Sequence, residues 1–193
     1  MKGKRHWTRG AAALATALSL AAAGCGTGAS QFIRDDVDFS FIRRVAVYPF
    51  FNLSQDIFAG QRVQSIFTTE LLDEGQVEVV DRGEMLAAIA ELKLPPDSIL
   101  SPEQVVMLGK RLQADGIFFA TVEEYGLERQ GGDPTHAVTA SYQLDETQTG
   151  RAIWSSQVRS AGGSLARKLL GGCTSVIFAV ARKNVRAALG TLF

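Results

Sequence analysis

Histidine is nearly missing from these 193 residues: there are two, so a metal centre or reaction built on clustered imidazoles has nothing to start from. His6 lies in a basic leader, which leaves His136, an isolated ring that reads as a loop or strand-end residue. A hydrolase would need a serine or cysteine and a carboxylate folded against His136, and no such grouping is set out along the chain. Net charge is missing as well, with 20 basic residues against 20 acids. Without a basic surface there is no ground for nucleic acid as a partner. The apolar stretch Ala11 to Ala23 has 13 residues, whereas a helix needs about 20 to cross a bilayer. No glycine-rich phosphate loop is present, because Gly162-Gly163 and Gly171-Gly172 come without the lysine and strand-to-helix setting that one requires. Asp35, Asp36 and Asp38 lack calcium-loop spacing and read as a solvated segment. The expectation is a protein that is not an enzyme and holds no cofactor or metal.

What the chain does have begins at its start. Lys2, Lys4, Arg5 and Arg9 stand without an acid, the apolar stretch follows, and Ala22, Ala23 and Gly24 precede Cys25. This layout resembles a bacterial lipoprotein signal, although Ala22 stands where leucine is commonest. The resemblance implies removal of residues 1–24 and acylation of Cys25, each buried methylene adding about 0.8 kcal/mol of membrane affinity. Gly26 follows, where the inner-membrane retention signal of enteric bacteria has aspartate, so the resemblance points to the outer membrane, facing the periplasm. The alternative is an ordinary secreted chain with Cys25 in place by coincidence. Processing would leave 16 basic residues against 20 acids, a formal charge of −4. It would also leave Cys173 as the remaining thiol, without an intramolecular disulfide and read as a small buried hydrophobe.

The mature chain is long enough for one core. Residues 25–39 are expected to be a lipidated tether, flexible over Gly26 to Asp36, and residues 40–193 one domain. "RRVAVYPFF" (43–51) reads as a first strand that runs into a loop at Asn52. Val63, Ile66, Phe67, Leu71 and Leu72 give residues 57–72 a helical stripe, ended by Gly75. A short strand is expected at 77–80. Asp81 then caps a helix whose stripe is Met85, Leu86, Ile89 and Leu92, and Pro95-Pro96 stops it. Ser101-Pro102-Glu103-Gln104 is a capping box with proline at the first helical position.

"IFFATV" (117–122) is apolar on alternate faces and reads as a central strand covered on both sides. Residues 138–145 alternate dry and wet, and with residues 152–158 they should form an antiparallel hairpin. A basic helix over 174–192 closes the chain. The fold class is therefore α/β, a single mixed sheet with helices packed on it and an antiparallel hairpin in its C-terminal part.

With "VAVYPFFNLS", "VEVVDRGEM", "LQADGIFFATV" and "YQLDETQTGRAIWS" in that order, the chain resembles the CsgG-type envelope lipoproteins. These share a fold with the N-terminal domain of TolB and with periplasmic peptidoglycan-synthase activators. The resemblance, over residues 43–159, implies a non-enzymatic accessory or assembly subunit of an envelope or secretion system. Its partners would be the membrane, through a lipid anchor, and envelope proteins, self-association included. The long amphipathic hairpins of the curli pore have no counterpart: "GLERQGGDPT" is too short and too charged.

Tyr48, Phe50, Phe51 and Trp154 are candidates for an interaction patch, against a plain core role. The alternative function is a periplasmic ligand- or peptide-binding module, with its site near Asn52 to Asp56 at the mouth of the sheet.

Replacing Cys25 by serine is expected to block processing and release the protein from the membrane fraction. Mass spectrometry of the mature N-terminus, with fractionation, reads both outcomes.

Overall fold

The computed structural model describes residues 28–34, 39–96, 98–129, 134–162 and 176–193. In chain order the elements are β1 (Gly28–Ile33), a 3-10 turn (Phe39–Phe41), β2 (Arg44–Val47), β3 (Phe51–Asn52), α1 (Ala59–Glu74) and β4 (Glu78–Val79). They continue with α2 (Arg82–Glu91), α3 (Pro102–Leu112), β5 (Gly116–Glu128), β6 (Thr135–Glu146), β7 (Ala152–Gly162) and α4 (Val176–Leu189). The strands form one mixed sheet in the order β1-β7-β6-β5-β2-β4, with β3 also paired to β5. Pairing is parallel on the β4-β2-β5 side and antiparallel from β5 through β6 and β7 to β1.

One acid sets the register of the parallel half. Asp115, just before β5, accepts the backbone N–H groups of Arg43 and Arg44 on one carboxylate oxygen, each at 2.9 Å, and its own N–H donates to Arg44 O at 2.7 Å. Val45, Ala46 and Val47 then lie beside Gly116, Ile117 and Phe118. Alternation sends Val45, Val47 and Phe118 to one face and Ala46 and Ile117 to the other, and all five are buried. The two-sided reading of this stretch is correct at its start.

The first face is covered by α1 and α4 over an aromatic cluster in which Phe67 stacks on Tyr142 at 5.5 Å and meets Phe118 edge-on at 5.1 Å. Inside it Asn184 of α4, fully buried, donates to Val138 O (3.0 Å) and Val158 O (2.8 Å) and accepts from the Tyr142 hydroxyl (2.8 Å). At the rim, Glu70 of α1 takes hydrogen bonds from Arg182 and Arg186 of α4. The second face is covered only in part, by α2 and α3 through Met85, Ile89, Val105, Leu108 and Leu112.

The local helix signals behave as read. Asp81 Oδ1 accepts from Gly83 N and Glu84 N, and Ser101 with Gln104 closes a reciprocal capping box. Glu84 does not complete a second box, because its carboxylate pairs with Arg44 instead. Gly75 ends α1 in the left-handed region at φ 65°. Gly109 and Gly150 lock α3 onto the β6–β7 turn: a Cβ on Gly109 would overlap the Thr147 side chain, and one on Gly150 would overlap the Pro102 backbone. The Thr147 hydroxyl donates to Ala114 O at 2.6 Å.

Three expectations are corrected. Residues 28–33, read as part of a flexible tether, form β1 and pair with Trp154 to Arg159, so the folded unit begins before residue 40. Main-chain pairing asks nothing of side-chain polarity, so a stretch without clear alternation can still serve as an edge strand. The central strand, expected over 117–122, runs on to Glu128 through an irregularity at Val122/Glu124 and takes in the start of "GLERQGGDPT". Trp154, Tyr48 and Phe50 are core residues, taken up below. The expected start of the last helix, at 174, and Cys173 lie outside the described residues.

Replacing Asn184 by alanine would leave two strand carbonyls and a tyrosine hydroxyl unpaired, an expected loss of about 1–3 kcal/mol or more. Gly109→Ala should cost about 1–3 kcal/mol through overpacking against Thr147. Urea unfolding measures both. Burial pushes the Glu70 carboxyl up, but the hydrogen bonds from Arg186 and Arg182 outweigh it and hold the pKa below the ordinary value. Its contribution is thus complete above about pH 4.5 and lost as pH falls through the lowered value. Thermal melts in acid should show that slope weakened in Glu70→Gln.

Candidate functional site

Helices α2 and α3 shield β4, β2 and the first residues of β5, and the same face of the antiparallel half carries side chains that water can reach. The register brings these into rows that cross four strands. Phe119, Gln143, Ser155 and Phe32 make one row; Thr121, Ser141, Gln157 and Ser30 make the next. β3 extends the second row by placing Phe51 beside Thr121. A third level is charged, with Arg159 bridging Glu124 (3.8 Å) and Glu128.

Over the first two rows lies a groove of about 410 Å³, walled by Tyr48 to Phe51 and by Ser98 to Leu100 from the α2–α3 connection. Tyr48 holds that wall in place, donating its hydroxyl to Pro95 O at 2.6 Å and packing its ring 5.3 Å from Phe119. At the wall's crest Ile99 is 89% exposed. At the end of the floor Asp145 is only 7% exposed and accepts from Gln143 Nε2 at 2.7 Å. Burial pushes its carboxyl up to about 6, the Gln143 hydrogen bond acting in the opposite direction. Farther along the face, Glu123 Oε1 accepts from the Ser141 hydroxyl at 2.5 Å and from Gln157 Nε2 at 3.2 Å.

Of the four residues proposed for an interaction patch, Phe51 alone reaches this surface, at 37% exposure. Tyr48 backs the groove wall, while Phe50 and Trp154 face the aromatic cluster on the opposite side of the sheet. Alternation explains this: where a strand is covered on both faces, an aromatic at either parity is buried. Cys25 lies outside the described residues.

Asn52 to Asp56, the expected mouth, is turned onto itself. Asn52 Oδ1 accepts from Ser54 N (3.0 Å) and its amide donates to Asp56 O (2.8 Å). Asp56 in turn pairs with Arg62, whose guanidinium lies 5.7 Å from the Phe58 ring. A second cleft of about 380 Å³ beside this loop is lined by Glu123, Glu124 and Glu128.

His136 sits near the start of β6, opposite Leu127 and Gly162, with its Nδ1 buried and without a hydrogen-bond partner among the described residues. Among the described residues no group of three His, Cys, Asp or Glu side chains is placed to hold a metal ion. Asp35, Asp36 and Asp38 lie outside them. The groove itself was missed in the sequence. The wet parity of residues 139–145 was the available signal, but not the strands that would lie beside it.

A family model described as peptidoglycan-synthase activator LpoB matches residues 30–159. No curated protein matches the chain. Among solved structures the fold is similar to PelC from Paraburkholderia phytofirmans, at 18% identity and TM-score 0.60, covering 86% of this chain and 98% of that one. It is also similar to lipoprotein GNA1162 from Neisseria meningitidis, at 20% identity and TM-score 0.56, covering 78% and 97%. The family matched is thus one that the sequence resemblance included only as a fold relative, and the CsgG and TolB branches receive no support.

Since Asp145 titrates higher folded than unfolded, the native state holds its proton longer and loses stability as pH rises from about 4 to about 6. Asp145→Asn should remove that slope and raise the melting temperature relative to the parent above about pH 6, as calorimetry across this range would show.

Proposed function

The chain belongs to the LpoB family of peptidoglycan-synthase activators, and from that premise we propose that it is an outer-membrane-anchored periplasmic lipoprotein. It activates a peptidoglycan synthase by direct contact and catalyses nothing itself. The family match over residues 30–159 carries this reading. Support comes from the leader with its acylable Cys25.

The surface offered to a partner is the set of exposed apolar side chains Leu53, Ile57 and Phe58, after β3, and Ile99 on the groove wall. Large apolar residues held out in water at one end of a sheet are what a docking protein buries. A second element is self-association. PelC, similar in fold, is described as a dodecamer, and β1 ends the sheet here with one edge unpaired among the described residues.

The decisive experiment adds the purified mature protein to a peptidoglycan synthase of the same cell envelope and follows glycan polymerisation and cross-linking. A rise in rate, lost in an Ile57→Asp/Ile99→Asp double variant that still melts normally, is expected. Absence of both binding and stimulation overturns the proposal. Light scattering on the domain without its acyl group reads the assembly state separately.

A further inference from the structure

We propose that the groove over the open sheet face is a binding site for a short neutral saccharide, held by Asp145, Gln143 and Thr121 and flanked by Phe51 and Phe119. The inference goes beyond synthase activation and does not rest on it.

The lining decides the class of ligand. Among the described residues no lysine or arginine borders the groove, so phosphate, carboxylate and sulfate groups would find no counter-charge there. Its one acid among the described residues is Asp145, and the rest is hydroxyl, amide, aliphatic and aromatic surface. One carboxylate oxygen of Asp145 takes the Gln143 hydrogen bond. The other accepts none from a described residue, although the side chain is more than nine-tenths buried. That oxygen keeps some contact with solvent at the end of the groove floor, so it is open to a donor from a ligand there. The Thr121 and Ser155 hydroxyls and the Gln143 carbonyl oxygen likewise have no partner among the described residues and project from neighbouring strands in register.

Groups that donate and accept side by side fit vicinal hydroxyls, which do the same. The Phe119 and Phe51 rings and Ile99 supply the apolar flank against which the C–H face of a sugar packs. The volume, about 410 Å³, lies in the range of ligand clefts, roughly 300–1,000 Å³.

An extended peptide fits less well. Peptides add to a sheet at its edge, through unpaired main-chain groups. The floor here is a sheet face, whose N–H and C=O groups are already used in the β5-β6-β7-β1 ladders.

The test uses the full mature chain with cellobiose and with N,N′-diacetylchitobiose as probes, followed by saturation-transfer NMR and amide chemical shifts. Saturable binding to at least one of them is expected, with shifts confined to Thr121, Ser141, Gln143, Asp145 and Ser155. Thr121→Val and Ser155→Ala should each weaken it about five-fold, the worth of one hydrogen bond, with melting temperatures unchanged. Shifts elsewhere, no saturable binding to either disaccharide, undiminished affinity in both variants, or capture of a neutral tetrapeptide in place of sugar would each overturn the inference. Synthase stimulation is read in a separate assay, so a protein that activates but binds no sugar refutes this site alone.

Discussion

Two amide hydrogen bonds to one carboxylate hold the architecture in register. By fixing Arg43 and Arg44 against Asp115, they set β2 beside the first residues of β5. Everything on the second face follows from that placement. The helices α2 and α3 bury Ala46, Tyr48 and Ile117 and are anchored to the β6–β7 turn by close approach at Gly109 and Gly150. They have little reason to reach farther, since the outward rows of the antiparallel half are polar apart from Phe119 and Phe32. A helical layer shorter than the sheet beneath it leaves a step, and the groove is that step.

The parts of the fold that depend on neighbours in sequence were legible. Capping at Asp81 and Ser101, the stop at Gly75 and the hairpin of β6 with β7 are set within a few residues, so local chemistry announces them. The parts that depend on pairing between distant segments were not. β1, of sequence GASQFI, is an edge strand without a clear alternation, recognisable only once β7 is known to need a partner. The groove floor joins Phe119, Gln143 and Ser155, which the chain keeps apart and the antiparallel register reunites. Alternation along residues 138–145 correctly separated a dry face from a wet one. It could not say that the wet face would be roofed at one end. The aromatic patch failed for a related reason: Tyr48 and Phe50 were exposed or buried according to helices not yet placed.

The charged and polar interior is divided by role. Glu70 is matched by two arginines from another helix, and Asn184 joins two strand carbonyls and the Tyr142 hydroxyl. Both belong to the face that binds α1 and α4 to the sheet. Asp145, on the other face, is buried without such matching, which is why its proton is held more tightly. Unbalanced polar burial of this kind marks surfaces that meet something else more often than surfaces that only hold a fold together. A member of an activator family has use for such an asymmetry, stiff behind and receptive in front.

The early start of β1 bears on reach. Between Cys25 and Gly28 lie three peptide steps, which even fully extended span about 10 Å. On the proposed anchoring, the domain is therefore moored on a short line: the β1 border of the sheet stands close to the lipid headgroups, and the molecule has little freedom to swing outward. Whatever it touches must come to it, bringing its own docking region up to the membrane surface.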